Sequence, residues 1–387
     1  MSTNQRIFYA CQAVAIANSG TPIGNYGSGN MVHGVQSVGI TTSFKLEQAF
    51  ELGQIEIYEN IEGVPDVELT MEKDIEGYPL IYLMATTGVY GTANSGLVAR
   101  SKSRCDIRVG IFDEAANNIA SSTSNGGAAE VEIACTGMFV GSLTYKIPVE
   151  GNVSEAVSFV GNNKTWLTGG NVAISDTMAG YFDGNDAAPA YKYAATNSTT
   201  PASGVIQRRQ HVMVQYCVLP KSIRGVVGTG VGNGYNATAG ANYVHLQSVS
   251  ISTDFSRNDL FELGKKTPFY RPANFPIEVK CDIEAITTSG DFVTAAEQGD
   301  TTLWGTASSG NNTQNETIYF FLQAGIGFDL GTKNRLSSVS YGGGDAKGGN
   351  VSTTYSYSNF NVFDVYQSGH NSTVGTVFAA KGYAAPF

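Results

Sequence analysis

One nineteen-residue pattern occurs twice in this chain, and it limits the fold more than any other feature. Residues 35–53 read VQSVGITTSFKLEQAFELG, and residues 246–264 read LQSVSISTDFSRNDLFELG. Without a gap, 10 of the 19 positions coincide: Gln36/Gln247, Ser37/Ser248, Val38/Val249, Ile40/Ile251, Thr42/Thr253, Phe44/Phe255, and the FELG run Phe50–Gly53 against Phe261–Gly264. Pro65 and Pro276 keep the same spacing, and VELTM then matches IEVKC after a one-residue slip. Thr144-Tyr145 and Gly151-Asn152-Val153-Ser154 are echoed by Ser340-Tyr341 and Gly349-Asn350-Val351-Ser352. A repeat at this spacing predicts two similar modules. Their bounds are 1–170 and 205–387, and the Asn-, Ala- and Pro-containing stretch 171–204 is a linker or inserted loop.

Within each module the dominant period is two. Ile55-Glu56-Ile57-Tyr58-Glu59, Val67-Glu68-Leu69-Thr70-Met71, Val131-Glu132-Ile133 and Val244–Ile251 alternate apolar with polar residues, as strands with one face in a core do. Helical signals are short: a turn or two at Phe44–Phe50, and another within 153–166. The expected fold is mainly β, two tandem antiparallel β-sandwich or barrel domains, each with one short helix. Gly53 and Gly264 are expected at turns that need positive φ. The Gly-rich run Gly228–Gly234 reads as a hairpin tip or stacking loop, because it lacks the Lys-Ser/Thr of a phosphate loop.

Composition removes several function classes. Hydrophobic residues make up 42%, too many for a disordered chain. Charged residues make up only 14%, and the net charge is −10. A protein that grips nucleic acid phosphate needs Lys and Arg in excess, whereas an acidic wall suits one past which nucleic acid slides. The five cysteines are scattered without C-x-x-C, which reads as reduced core thiols and neither a disulfide framework nor a zinc site. No run of 18 apolar residues is present to cross a membrane, and the apolar run 7–17, in a chain that still begins with Met1, reads as a strand and not a signal sequence. No H-E-x-x-H or G-x-S-x-G occurs, and the carboxylate pairs have no glycosidase spacing signal. No catalytic residue, cofactor or metal is therefore expected.

The stretch from Val35 through VQSVGITTSFKLEQAFELGQIEIYENIEGVPDVELTMEKDIEGYPLI resembles the opening of tail tube proteins of tailed bacteriophages. YKIPVEGNVSEAVSFVGNNKTW is similar to a later segment of the same family. Together they cover most of residues 1–166, and 205–387 repeats the pattern more loosely, without the Glu after Ser352. The resemblance implies a structural virion protein, the major tail tube subunit, stacked in rings around a lumen that delivers DNA. A duplicated chain would close as a trimer with pseudo-sixfold symmetry. Its implied partners are other copies of itself, tape measure, tail terminator, baseplate or tail-tip proteins and, in contractile tails, a sheath. DNA would pass without specific binding, no membrane would be involved, and assembly would take place in the host cytoplasm.

On this reading Phe50, Leu52, Gly53, Phe261, Leu263 and Gly264 anchor the domain cores or the ring. Residues 54–76 and 265–286 include hairpin strands that join the ring or touch the next. Glu56, Glu68, Glu72, Glu130 and Glu132 are candidates for an acidic lumen face, and Lys265 and Lys266 for ring stacking. The rival readings are a virion or cell-surface β-protein that binds or hydrolyses carbohydrate in an aromatic groove, and a capsid decoration or neck protein.

Overall fold

The computed structural model describes residues 7, 11–53, 55–87, 96–112, 128–175, 206–213, 217–220, 222–223, 245–286, 315–342 and 351–367. The first part of the chain forms β1 (Gln12–Asn18), β2 (Val35–Ser43), β3 (Leu46–Phe50), β4 (Ile57–Glu62) and β5 (Asp66–Asp74), then the short helices α1 (Ile81–Thr87) and α2 (Leu97–Arg100). The strands β6 (Cys105–Ile111), β7 (Val131–Pro148), β8 (Ser154–Gly161) and β9 (Asn163–Thr168) complete it. The second part carries β10 (His245–Asp254), β11 (Glu278–Ile286), β12 (Tyr319–Leu322), β13 (Ile326–Asp329), β14 (Arg335–Gly342), β15 (Ser352–Phe360) and β16 (Asp364–Gln367). The fold is mainly β, as the period-two pattern predicts.

Eight strands run side by side in the order β14-β15-β11-β10-β7-β8-β5-β2. The middle of this sheet, where β7 meets β10, joins the two parts of the chain: Ser248–Asp254 pair antiparallel with Pro148–Ser142. The eighteen-residue β7 outruns this sheet, and its N-terminal half pairs with β6 and β9 in a second layer. A three-stranded β12-β13-β16 sheet completes the second part.

The two flanks of the central sheet have the same register. β2 and β5 are paired as β10 and β11 are, each with an irregularity at the same position of the repeat, Gln36 and Gln247 respectively. β7–β8 and β14–β15 likewise share a bulge, at Gly141 and Ser337. The ladders correct one detail of the sequence match: Val67-Glu68-Leu69-Thr70-Met71 stands opposite β2 where Val279-Lys280-Cys281-Asp282-Ile283 stands opposite β10. The slip therefore runs the other way from the VELTM/IEVKC alignment.

Alternation decides what is buried. On β5, Val67, Leu69, Met71 and Lys73 point inward, while Glu68, Thr70 and Glu72 point out. The core they enter is continuous across both parts of the chain, and Tyr145 of β7 packs at 4.5 Å on Phe328 of β13. Neither expected helix forms. Leu46–Phe50 is a strand, and so are Ser154–Gly161 and Asn163–Thr168.

Of the two short helices, α1 starts on a carboxylate supplied by β8. Glu155, fully buried, accepts hydrogen bonds from the Ile81 and Tyr82 N–H groups at 2.7 and 3.0 Å and from the Tyr145 hydroxyl at 2.9 Å. It thus satisfies N–H groups that a first helical turn leaves without partners. Burial pushes the Glu155 carboxyl up and the Lys73 ammonium down, and the attraction between them opposes both shifts. All five cysteines are buried, and burial raises the Cys105, Cys135, Cys217 and Cys281 thiols, Cys135 to about 11. Thiols so placed are poorly reactive.

Candidate functional site

The outer face of the eight-stranded sheet is paved with hydroxyls. One ladder crosses every strand as Ser37, Glu72, Ala156, Thr144, Ser252, Lys280, Ser358 and Arg335. The next row carries Ser154, Lys146, Ser250, Asp282, Ser356 and Ser338. The face holds Glu68, Glu72, Asp254, Glu278, Asp282 and Glu284 against Lys146, Lys280 and Arg335, so carboxylates prevail. Ser248 Oγ hydrogen-bonds Glu284 at 3.0 Å, and Lys280 lies 3.5 Å from Glu278. Short side chains on a strand give a smooth surface, and the excess of carboxylates on it opposes the charge neutralisation that binding a polyanion needs.

Of the five acids expected together, the sheet brings only Glu68 and Glu72 to this face. Glu132 points the other way. It is fully buried, forms an ion pair with Arg108, and accepts from the Ala173 and Ile174 N–H groups at 2.7 and 3.1 Å. It cannot belong to an exposed acidic wall. Glu130 is exposed where β7 enters the second layer, and Glu56 is exposed ahead of β4, both off this face. Sequence reasoning missed Asp282 and Glu284 because the alignment slip placed β11 two residues out. The signal for the paving was present in Ser248-Val249-Ser250-Ile251-Ser252, which alternates without a break.

The FELG segments do not anchor the cores. Phe50 and Phe261 are 66% and 57% exposed, and Leu52 and Leu263 stand fully in solvent. They lie on two projections beside the sheet. The first is the β3–β4 hairpin, and the second is the 255–276 loop, closed by the Leu260–Tyr270 bridge. The turn reading of the glycines holds, with φ at +100° for Gly53 and +85° for Gly264. Ile55, Ile57, Tyr58 and Ile61 extend the exposed apolar surface of the first projection, the kind of patch that marks a contact site. Lys265 pairs with Glu262 at 2.5 Å, and Lys266 lines a hollow between the two projections with Lys45, Asp66 and Phe261.

The projections are tied down at their bases. Arg271 bridges Asp66 at 2.7 Å and Asp259 at 2.5 Å, and Lys45 reaches Asp66 at 2.6 Å. Burial pushes the Asp66 carboxyl up, but the hydrogen bonds from Lys45 and Arg271 outweigh it and hold the group below the usual aspartate range. Gly228–Gly234 and most of the 171–204 linker lie outside the described residues. No helix among the described residues is long and apolar enough to cross a membrane.

Among the described residues, these features define a β-protein with one long polar sheet face, two free sheet edges and two exposed apolar projections. No protein-family model and no curated protein matches the sequence. Solved structures do match. The cap of the anti-feeding prophage (AFP tube terminating cap) is similar at 14% identity, over 44% of this chain and 95% of that one, with a TM-score of 0.30. A chain of the sheath-tube complex of an extracellular contractile injection system is similar at 10% identity, over 42% of this chain and 92% of that one, with a TM-score of 0.28. A chain of that system's sheath/tube terminator is similar at 11% identity, over 43% of this chain and 100% of that one, with a TM-score of 0.31.

Proposed function

We propose that this chain is a structural, non-catalytic subunit of a phage tail tube, built from two tube domains in tandem at 1–170 and 205–387. The observation that carries this reading is the eight-stranded sheet, which has a hydroxyl-rich, net acidic face and, among the described residues, ends in two unpaired edges. A sheet that curves and closes on copies of itself loses its edges and encloses a lumen. Each chain supplies two pseudo-equivalent positions, so three chains give a pseudo-sixfold ring. The polar face would line the lumen, where Glu68, Glu72, Asp282 and Glu284 repel passing DNA over the roughly 10 Å screening length at 0.1 M salt.

The projections that carry Phe50, Leu52, Phe261 and Leu263 would stack one ring on the next, with Lys265 and Lys266 at their rim. Tape measure, terminator and baseplate or tail-tip proteins would then meet the ends of the stack. Electron microscopy of the purified protein tests this reading. Hollow discs or stacked tubes are expected, and a uniform population of single compact molecules would refute it.

A further inference from the structure

We infer that β2 and β14, the two edges of this sheet among the described residues, are the two halves of one joint, so that each takes a second copy of this chain in a head-to-tail register already written inside the molecule. The inference rests on the ring reading and deepens it by fixing the partner, the strand register and the residue that seats the contact.

The template is the internal β7–β10 joint. β10 occupies in the second flank the place of β2 in the first, and β14 occupies the place of β7, with the bulges at Ser337 and Gly141 matching. Each half of the internal joint therefore has a twin on a free edge of the sheet. Transferring the internal pairs Ile251–Tyr145, Ser252–Thr144 and Thr253–Leu143 to the free edges sets Ile40 against Tyr341, Thr41 against Ser340 and Thr42 against Val339 of the next copy. The contact is heterologous, because each copy offers β2 to one neighbour and β14 to the other. Such contacts close into rings when the rotation allows.

Burial supports the same assignment. Phe255 is fully buried at the internal joint, where its N–H donates to the Gly141 carbonyl at 2.9 Å. Its twin Phe44 is 70% exposed. Tyr145 is fully buried, whereas its twin Tyr341 is 78% exposed. Phe44 and Tyr341 stand in water at the two sheet edges while their twins are covered at the internal joint, a contrast that a partner of the same kind explains. Phe44 is then seated beside Ser337 of the neighbour, its N–H donating to that carbonyl.

Cysteine pairs in the full chain test the register. Thr41→Cys/Ser340→Cys, oxidised with copper–phenanthroline, is expected to give disulfide-linked multimers. The control Thr144→Cys/Ser252→Cys, at the same place in the internal joint, is expected to bridge within one chain. The offset pair Thr41→Cys/Ser338→Cys is expected to link at least tenfold less. Multimers from the offset pair, or none from the matched pair when the control bridges and discs are visible, would overturn the inference while leaving the ring reading intact. Lack of discs in the unmodified protein would remove both.

Phe44→Ser, which alters an exposed side chain, is expected to leave the circular dichroism spectrum unchanged and weaken assembly by roughly 100-fold or more in concentration. Unaltered assembly would also overturn the inference.

Discussion

Arg257 belongs to the second part of the chain but holds on to the first. Its guanidinium donates to the Val140 carbonyl at 2.7 Å, the Ser101 carbonyl at 2.7 Å and the Arg271 carbonyl at 2.9 Å. It also lies over the rings of Phe139 and Phe255, 4.7 and 5.4 Å from their centres. A hydrogen bond from a charged donor contributes about 1.5–3 kcal/mol. Some of the freed carbonyls regain water in a half-buried site, so Arg257→Ala should cost about 3–5 kcal/mol, a large part of a typical total of about 5–15 kcal/mol. Urea unfolding followed by circular dichroism measures the change. Arg257→Lys keeps the charge, but an ammonium cannot reach three carbonyls on three separate segments, so it should recover less than half of the loss. A cost for Arg257→Ala below about 1 kcal/mol, or full recovery by Lys, would refute the latch and with it the coupling of the two parts.

Three further outcomes are expected. Glu155→Ala strands three donors and removes one of the two carboxylates, Glu76 and Glu155, that act on the buried Lys73, for a loss of about 3–5 kcal/mol in urea unfolding; Glu155→Gln should cost less. Because Asp66 is held below its ordinary pKa, its contribution is present above about pH 4 and is lost as the pH falls through its folded value. The urea midpoint should therefore drop on acidification, and Asp66→Asn should flatten that part of the profile. Gly53→Val and Gly264→Val meet no steric block at Cβ but force a branched residue to positive φ, at about 1–3 kcal/mol each; assembly or solubility should fall, as measured by pelleting.

The features legible in the sequence were those set by local period or by repetition. Alternation located β5, β7 and β10, the glycines of FELG marked positive-φ turns, and the repeat anticipated two flanks of matching register. What was missed depends on partners distant in the chain. Glu132 looks like any outward acid until Arg108, 24 residues away, pairs with it inside. α1 carries no capping residue of its own and borrows Glu155 from a strand 74 residues on. Phe50 and Leu52 read as core because they are apolar, yet a single chain leaves them in water.

Native mass spectrometry of the assembled discs tests the central claim most directly. Closure through β2 and β14, with two flanks per chain, predicts a ring of three copies. A closed ring of six copies, or a particle that stays a single chain at every concentration, would contradict it.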